Sequence, residues 1–134
     1  MALWVWARRE PSRFALLYGT PVPGYDAPSE TTTPAGTRVA VALLRLVENA
    51  HARGRLALVE TPLPRAVRAD MERLRREYGL DMPVTNLSRL LGLWASLVGL
   101  VLFDVFDQWG PDTLSDREAF LRSQVQTLAG TVGL

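Results

Sequence analysis

The stretch PVTNLSRLLGLWASLVGLVLFDVFDQ, residues 83–108, decides the fold. Its apolar residues recur every three or four positions, the repeat of a helix face, with none of the two-residue alternation of a half-buried strand. On a helical wheel Leu87, Leu90, Leu91, Trp94, Leu97, Val98, Val101 and Val105 share one broad side, flanked by Leu93 and Leu100. Roughly opposite lie Gly92, Ser96 and Gly99, continued by Phe103. A helix apolar almost all round is either central in its domain or covered by a partner chain. In a chain of 134 residues the other helices are too few to cover it on every side. The small-residue seam lets another helix backbone come close, from a second copy or from the same chain. Pro83 opens the helix, and Gly110-Pro111 is expected to end it near Gln108.

Downstream, Ser115 followed by Glu118 reads as a capping box opening a final helix. That helix carries Phe120, Leu121, Val125, Leu128 and Val132. Two antiparallel helices from each of two copies would make a four-helix interface about a two-fold axis. A homodimer through Gly92, Ser96, Gly99, Leu100, Phe103, Phe120, Leu121, Val125 and Leu128 is the expectation.

Upstream, Pro64 opens an amphipathic helix to Tyr78, with Val67, Met71, Leu74 and Tyr78 inward and Gly79 as its stop. Leu56 to Pro64 is a proline-bounded connector. Thr33-Pro34 reads as an N-cap and first-turn proline. The helix it opens should run to about Arg53, burying Val39, Leu43, Leu46, Val47 and Ala50. The stretch Thr20 to Pro28, with three prolines and Gly24, is a rigid loop containing Tyr25. Ala2–Arg9 and Ser12–Tyr18 are two short helices separated at Glu10-Pro11, the second with Phe14, Leu17 and Tyr18 on one side. The expected architecture is all-α: six helices in one domain, residues 1–134, the last two long.

Composition narrows the chemistry. The hydrophobic fraction is 48% and the charged fraction 22%, the balance of a globular chain. Cysteine is absent, which removes disulfides, thiolate metal sites and thiol nucleophiles. Lysine is absent too, so every basic residue is Arg, which reads as coding bias in a GC-rich genome. A net charge of +1 gives no overall pull toward nucleic acid or an anionic membrane. Met1 to Trp6 lacks the basic start of a signal peptide. The longest uncharged run, Leu90 to Phe103, falls short of the about 20 residues of a membrane span. A soluble cytoplasmic protein, without membrane contact, is expected.

Polar constellations are sparse. His51 lies near the end of the third helix, facing its negative terminus, with no second imidazole nearby in sequence to make a metal site. Asp104, Asp107, Asp112 and Asp116 cluster around a helix end and turn, where solvation and capping account for them better than acid–base catalysis. Arg65, Arg68, Arg73, Arg75 and Arg76 make one helix basic. Asp70, Glu72 and Glu77 on that helix favour intrahelical pairs and a solvated face over phosphate binding. Neither a cofactor, a metal nor an enzymatic activity is expected.

The joint pattern resembles a known family. WVWARREP (4–11), then Phe14 and LLYGTPVPGY (16–25), resembles the start of the regulatory domain in a branch of the TetR family. WASLVGLVLF (94–103) is similar to the segment that gives the WHG domain its name. Trp94 and Gly99 match that motif, while Val98 stands where the family has His and cannot make a hydrogen bond that His would make. The resemblance implies an internal apolar effector pocket and a dimer built from the last two helices. It also implies DNA-binding heads attached at the N-terminus. Nothing upstream of Trp4 in this sequence could form such a head, so direct binding to an operator is not expected. Trp6, Phe14, Tyr18, Leu43, Val47, Trp94 and Val98 are the candidate lining of a cavity for a small hydrophobic or amphipathic effector. Tyr18 and Trp94 stand out because each offers a polar tip. The alternative is a filled core and a purely dimerising module.

Overall fold

Proline and glycine divide the chain. The computed structural model describes residues 1–19, 24, 36–58 and 60–134. Among them are six α-helices and no strand. α1 (Ala2–Arg9) and α2 (Pro11–Tyr18) meet at Glu10. Pro11 takes the first position of α2, where its missing N–H would have had no intrahelical partner. α3 (Arg38–Ala52), α4 (Arg65–Tyr78), α5 (Val84–Val105) and α6 (Arg117–Val132) follow. α4 stops at Gly79, whose φ of 59° most side chains avoid. α3 stops in a Schellman turn, in which Gly54 N–H donates to the His51 carbonyl and Arg55 N–H to that of Ala50.

Four local readings are corrected. α5 ends at Val105 and not near Gln108: Asp107 turns left-handed (φ 52°), and its N–H donates to the Asp104 carbonyl. Arg117 holds that turn by donating to the Asp107 carboxylate and the Gly110 carbonyl. The cap of α6 is Asp116, one residue beyond Ser115, and its carboxylate accepts from Ala119 N–H at 2.9 Å. Glu118 pairs forward with Arg122 and does not reach back to a cap. On α3 the buried arc is Leu44, Val47 and Ala50, while Val39 and Leu46 are 45% and 54% exposed. The neighbours of α3 lie on one side, and these two residues point away from it. Leu17 is likewise exposed on α2, although it lies one turn from the buried Phe14. The Thr33-Pro34 cap, the prolines of the expected rigid loop and Tyr25 lie outside the described residues.

α5 packs against each of the other five helices. Its first half enters a core with Leu44 and Val47 of α3, Met71 of α4, and Met82, with Val132 closing the end. Its second half joins Trp4 and Ala7 of α1, Phe14 of α2 and Leu121 of α6 through Val101. Fully burying one such side chain stabilises the fold by about 1.5–3 kcal/mol. Asn86, fully buried on α5, stitches the first core by donating its amide to the Ala57 and Val132 carbonyls at 2.9 and 2.8 Å. Next to it Ala57 N–H donates to Gly133, and a Cβ added at Gly133 would lie 2.3 Å from the Ala57 carbonyl oxygen. Glycine is therefore required where the end of α6 meets the connector.

Candidate functional site

Three features converge on α5. The first is an apolar cleft of about 100 Å³ between α3, α4 and α5, open on one side. Val41, Leu43 and Leu44 come from α3, Leu74 and Tyr78 from α4, and Leu90, Leu91 and Trp94 from α5. Of the residues expected from sequence, Leu43 and Trp94 line it. Val47 and Phe14 are fully buried core residues, and Val98 is partly buried one turn beyond Trp94. The α4 wall was not foreseen. Leu74 and Tyr78, four apart on one face, are what plain core residues also look like.

Trp6 and Tyr18 belong to an aromatic ladder that leads away from the cavity. Trp6 stands edge-on to Phe14 with ring centres 6.2 Å apart. Phe14 meets Tyr18 at 5.1 Å, and Tyr18 stands edge-on to Trp94 at 6.2 Å. Such geometries add about 0.5–1.5 kcal/mol per pair beyond burial. Trp94 is thus both cavity wall and end of a stack that ties α1 and α2 to α5.

The second feature is the outer face of α5. Gly92, Ser96 and Phe103 are exposed, and a Cβ built on Gly92 or Gly99 would meet nothing within 4 Å. Ser96 turns its hydroxyl back to the Gly92 carbonyl at 2.9 Å, which leaves the seam without an outward donor. Phe103 is 45% exposed and packs on Trp109, which in turn meets Phe120. Leu100, Phe120, Val125 and Leu128 are half-buried, but Leu121 faces inward on the second core. By length and composition alone α5 could cross a membrane. Both of its charged residues are engaged within the fold: Arg89 donates to Thr131 and Thr61, and Asp104 lies in the cluster described next.

The third feature corrects the expectation that Asp104 is solvated. Asp104 is buried, and it accepts the Trp4 indole N–H at 2.6 Å. Arg117 reaches its other oxygen at 3.5 Å, and Arg8 lies 3.9 Å away while stacking over the Trp4 ring. The Arg117 guanidinium is held above its ordinary pKa, first by its hydrogen bond to Asp107 and then by the charges of Asp107 and Asp104. Arg117 therefore stays cationic at any working pH, and the cluster reads as a structural tie between α1 and the α5–α6 turn. His51 sits in the last turn of α3, as expected. Arg73 pairs with Asp70 on α4 at 3.0 Å. Among the described residues no group of three or more His, Asp or Glu could hold a metal ion.

The described residues thus form an all-helical domain with an apolar cavity against its central helix and an exposed small-residue seam on that helix. The chain belongs to the tetracyclin repressor-like, C-terminal domain family, which it matches over residues 1–128. It is 35% identical over 127 residues to the HTH-type transcriptional regulators Mb1846 of Mycobacterium bovis and Rv1816 of Mycobacterium tuberculosis. Each alignment covers 95% of this chain and 54% of the relative, so the chain spans about half the length of these relatives.

Proposed function

We propose that this chain is the effector-sensing and dimerising part of a TetR-type transcriptional regulator acting in the cytoplasm, with no catalytic step of its own. The observation that carries the proposal is the coincidence of cavity and seam on one helix. Trp94 lines the cavity, while Gly92 and Ser96, within one turn of it, lie on the uncovered side. A ligand that pushes on Trp94 pushes on the helix that meets the second copy. Small-molecule binding and homodimerisation are typical of the family. Operator binding would be the work of a helix-turn-helix domain such as the relatives' names record.

The cavity's size shapes the mechanism. At about 100 Å³ it is smaller than the about 150 Å³ cavity that accepts benzene. Drug-sized ligands occupy sites of about 300–1,000 Å³. A larger hydrophobic or amphipathic effector must therefore bind an expanded packing of α3 and α4 against α5, which it favours by its differential affinity. Screening apolar ligands by thermal shift tests this: some should raise the melting temperature, and Trp94→Ala should abolish the gain. Ligand stabilisation unchanged in Trp94→Ala would remove Trp94 from the site. The same small volume favours a second reading, a dimerising module with no ligand, which the screen would support if nothing apolar stabilises the protein.

A further inference from the structure

The cleft between α3, α4 and α5 has an aromatic side chain on each of two walls, Tyr78 at the end of α4 and Trp94 midway along α5. We infer that it takes an uncharged single-ring aromatic molecule carrying one hydroxyl or carbonyl oxygen, a phenol or an aryl ketone. The inference rests on the reading of this cleft as the effector site and narrows the effector to one chemical class. Among the described residues none that lines the cleft is charged: leucine, valine and alanine make the walls, with Thr37, Tyr78 and Trp94 between them. A carboxylate, phosphate or ammonium drawn inside would lose its water and meet no counter-ion, a cost of several kcal/mol.

Size and shape exclude a chain. About 100 Å³ is too little for a long acyl group, which needs a trough along its whole length. A ring is the most compact arrangement of its carbons and has no rotatable bonds of its own to freeze on binding. Because the cleft is open on one side, a substituent can project past the mouth. The Trp94 ring is placed before any ligand arrives: it stands edge-on to Tyr18 at 6.2 Å, and Tyr18 packs on Phe14 at 5.1 Å. A planar ligand beside Trp94 adds a rung to that ladder. Aromatic pairs gain about 0.5–1.5 kcal/mol beyond burial, which a saturated ring of the same shape forgoes. Tyr78 and Trp94 are both half-buried, and among the described residues neither the Tyr78 hydroxyl nor the Trp94 indole N–H has a hydrogen-bonding partner. Buried Tyr and Trp normally satisfy those tips, and one oxygen on the ligand can serve either.

Calorimetric titration of the chain with para-ethylphenol and a set of close analogues tests the class. Para-ethylphenol should bind, and para-ethylcyclohexanol should bind about fivefold or more weakly for want of a π-face. Ethylbenzene should bind about threefold or more weakly for want of the oxygen. Para-ethylbenzoate should bind at least about tenfold more weakly because its charge finds no partner. Octanol should also fall well below para-ethylphenol. Trp94→Leu should bring para-ethylphenol down to the level of para-ethylcyclohexanol, and Tyr78→Leu should narrow the same ratio from the other wall. The readout is a ratio of two ligands on one variant, so a general loss of stability does not mimic it. A saturated ring, octanol or the benzoate bound as tightly as para-ethylphenol would overturn the aromatic class and leave the effector reading standing. An unchanged ratio in both variants would put the ring elsewhere and overturn it as well. Binding of no compound at all would remove the effector reading with it.

Discussion

The two halves of α5 have opposite surroundings, and the more apolar half is the less buried one. From Val84 to Leu93 the helix sinks Val84, Asn86, Leu87, Leu90 and Leu93 into the first core, with α3, α4 and the end of α6 around it. From Trp94 to Val105 only Val101 and Asp104 are buried, while Phe103 and the face of Ser96 look outward. The most apolar window of the helix has a mean hydropathy of 1.6, yet only 22% of that window is buried. Soluble proteins rarely leave so continuous an apolar surface uncovered unless it meets a partner. The first half is explained by this chain alone; the second is the face that the proposed dimer would cover.

Substitutions along the helix should separate the halves by the size and kind of their effect. The largest loss is expected at Leu87→Ala, fully buried in the first half: about 2–5 kcal/mol of stability, independent of protein concentration, in urea titrations. Asp104→Ala should cost less, about 1–3 kcal/mol, because it strands the buried Trp4 indole N–H. Indole fluorescence should then report a loosened α1 before global unfolding. A single concerted transition with wild-type midpoint would show that the cluster does not hold α1. Asp116→Ala removes the helix cap and should cost about 1 kcal/mol. Phe103→Ser should also cost the fold itself no more than about 1 kcal/mol at low protein concentration, the loss of a half-exposed ring packed on Trp109. That variant should nevertheless lose the concentration dependence of the wild-type melting temperature, since dimerisation stabilises by mass action.

Much of this was legible in the sequence, because prolines, glycines and apolar periodicity act locally. α1 ends at Arg9, Gly79 stops α4, and Pro83 leads into α5 as their residue types require. What escaped depends on neighbours distant in sequence. Val39 and Leu46 fit the apolar pattern of α3 as well as Leu44 does, but only packing against α5 selects which arc turns inward. Asp104 resembles any acidic helix end until Trp4, a hundred positions earlier, brings an indole N–H to it. Asp116 and Ser115 are both good caps, and a shift of one residue lies beyond what composition resolves. Within the cavity Trp94 was readable as an aromatic with a polar tip, whereas Leu74 and Tyr78 on α4 looked like ordinary core.

The most direct test of the central claim is molar mass in solution, by light scattering on a sizing column over a range of concentrations. The wild type should show twice the chain mass and Gly99→Leu the single chain mass, because the added side chain finds room in one copy but not between two. A wild-type protein that stays monomeric at every concentration, or a Gly99→Leu variant that dimerises as well as the wild type, would contradict it.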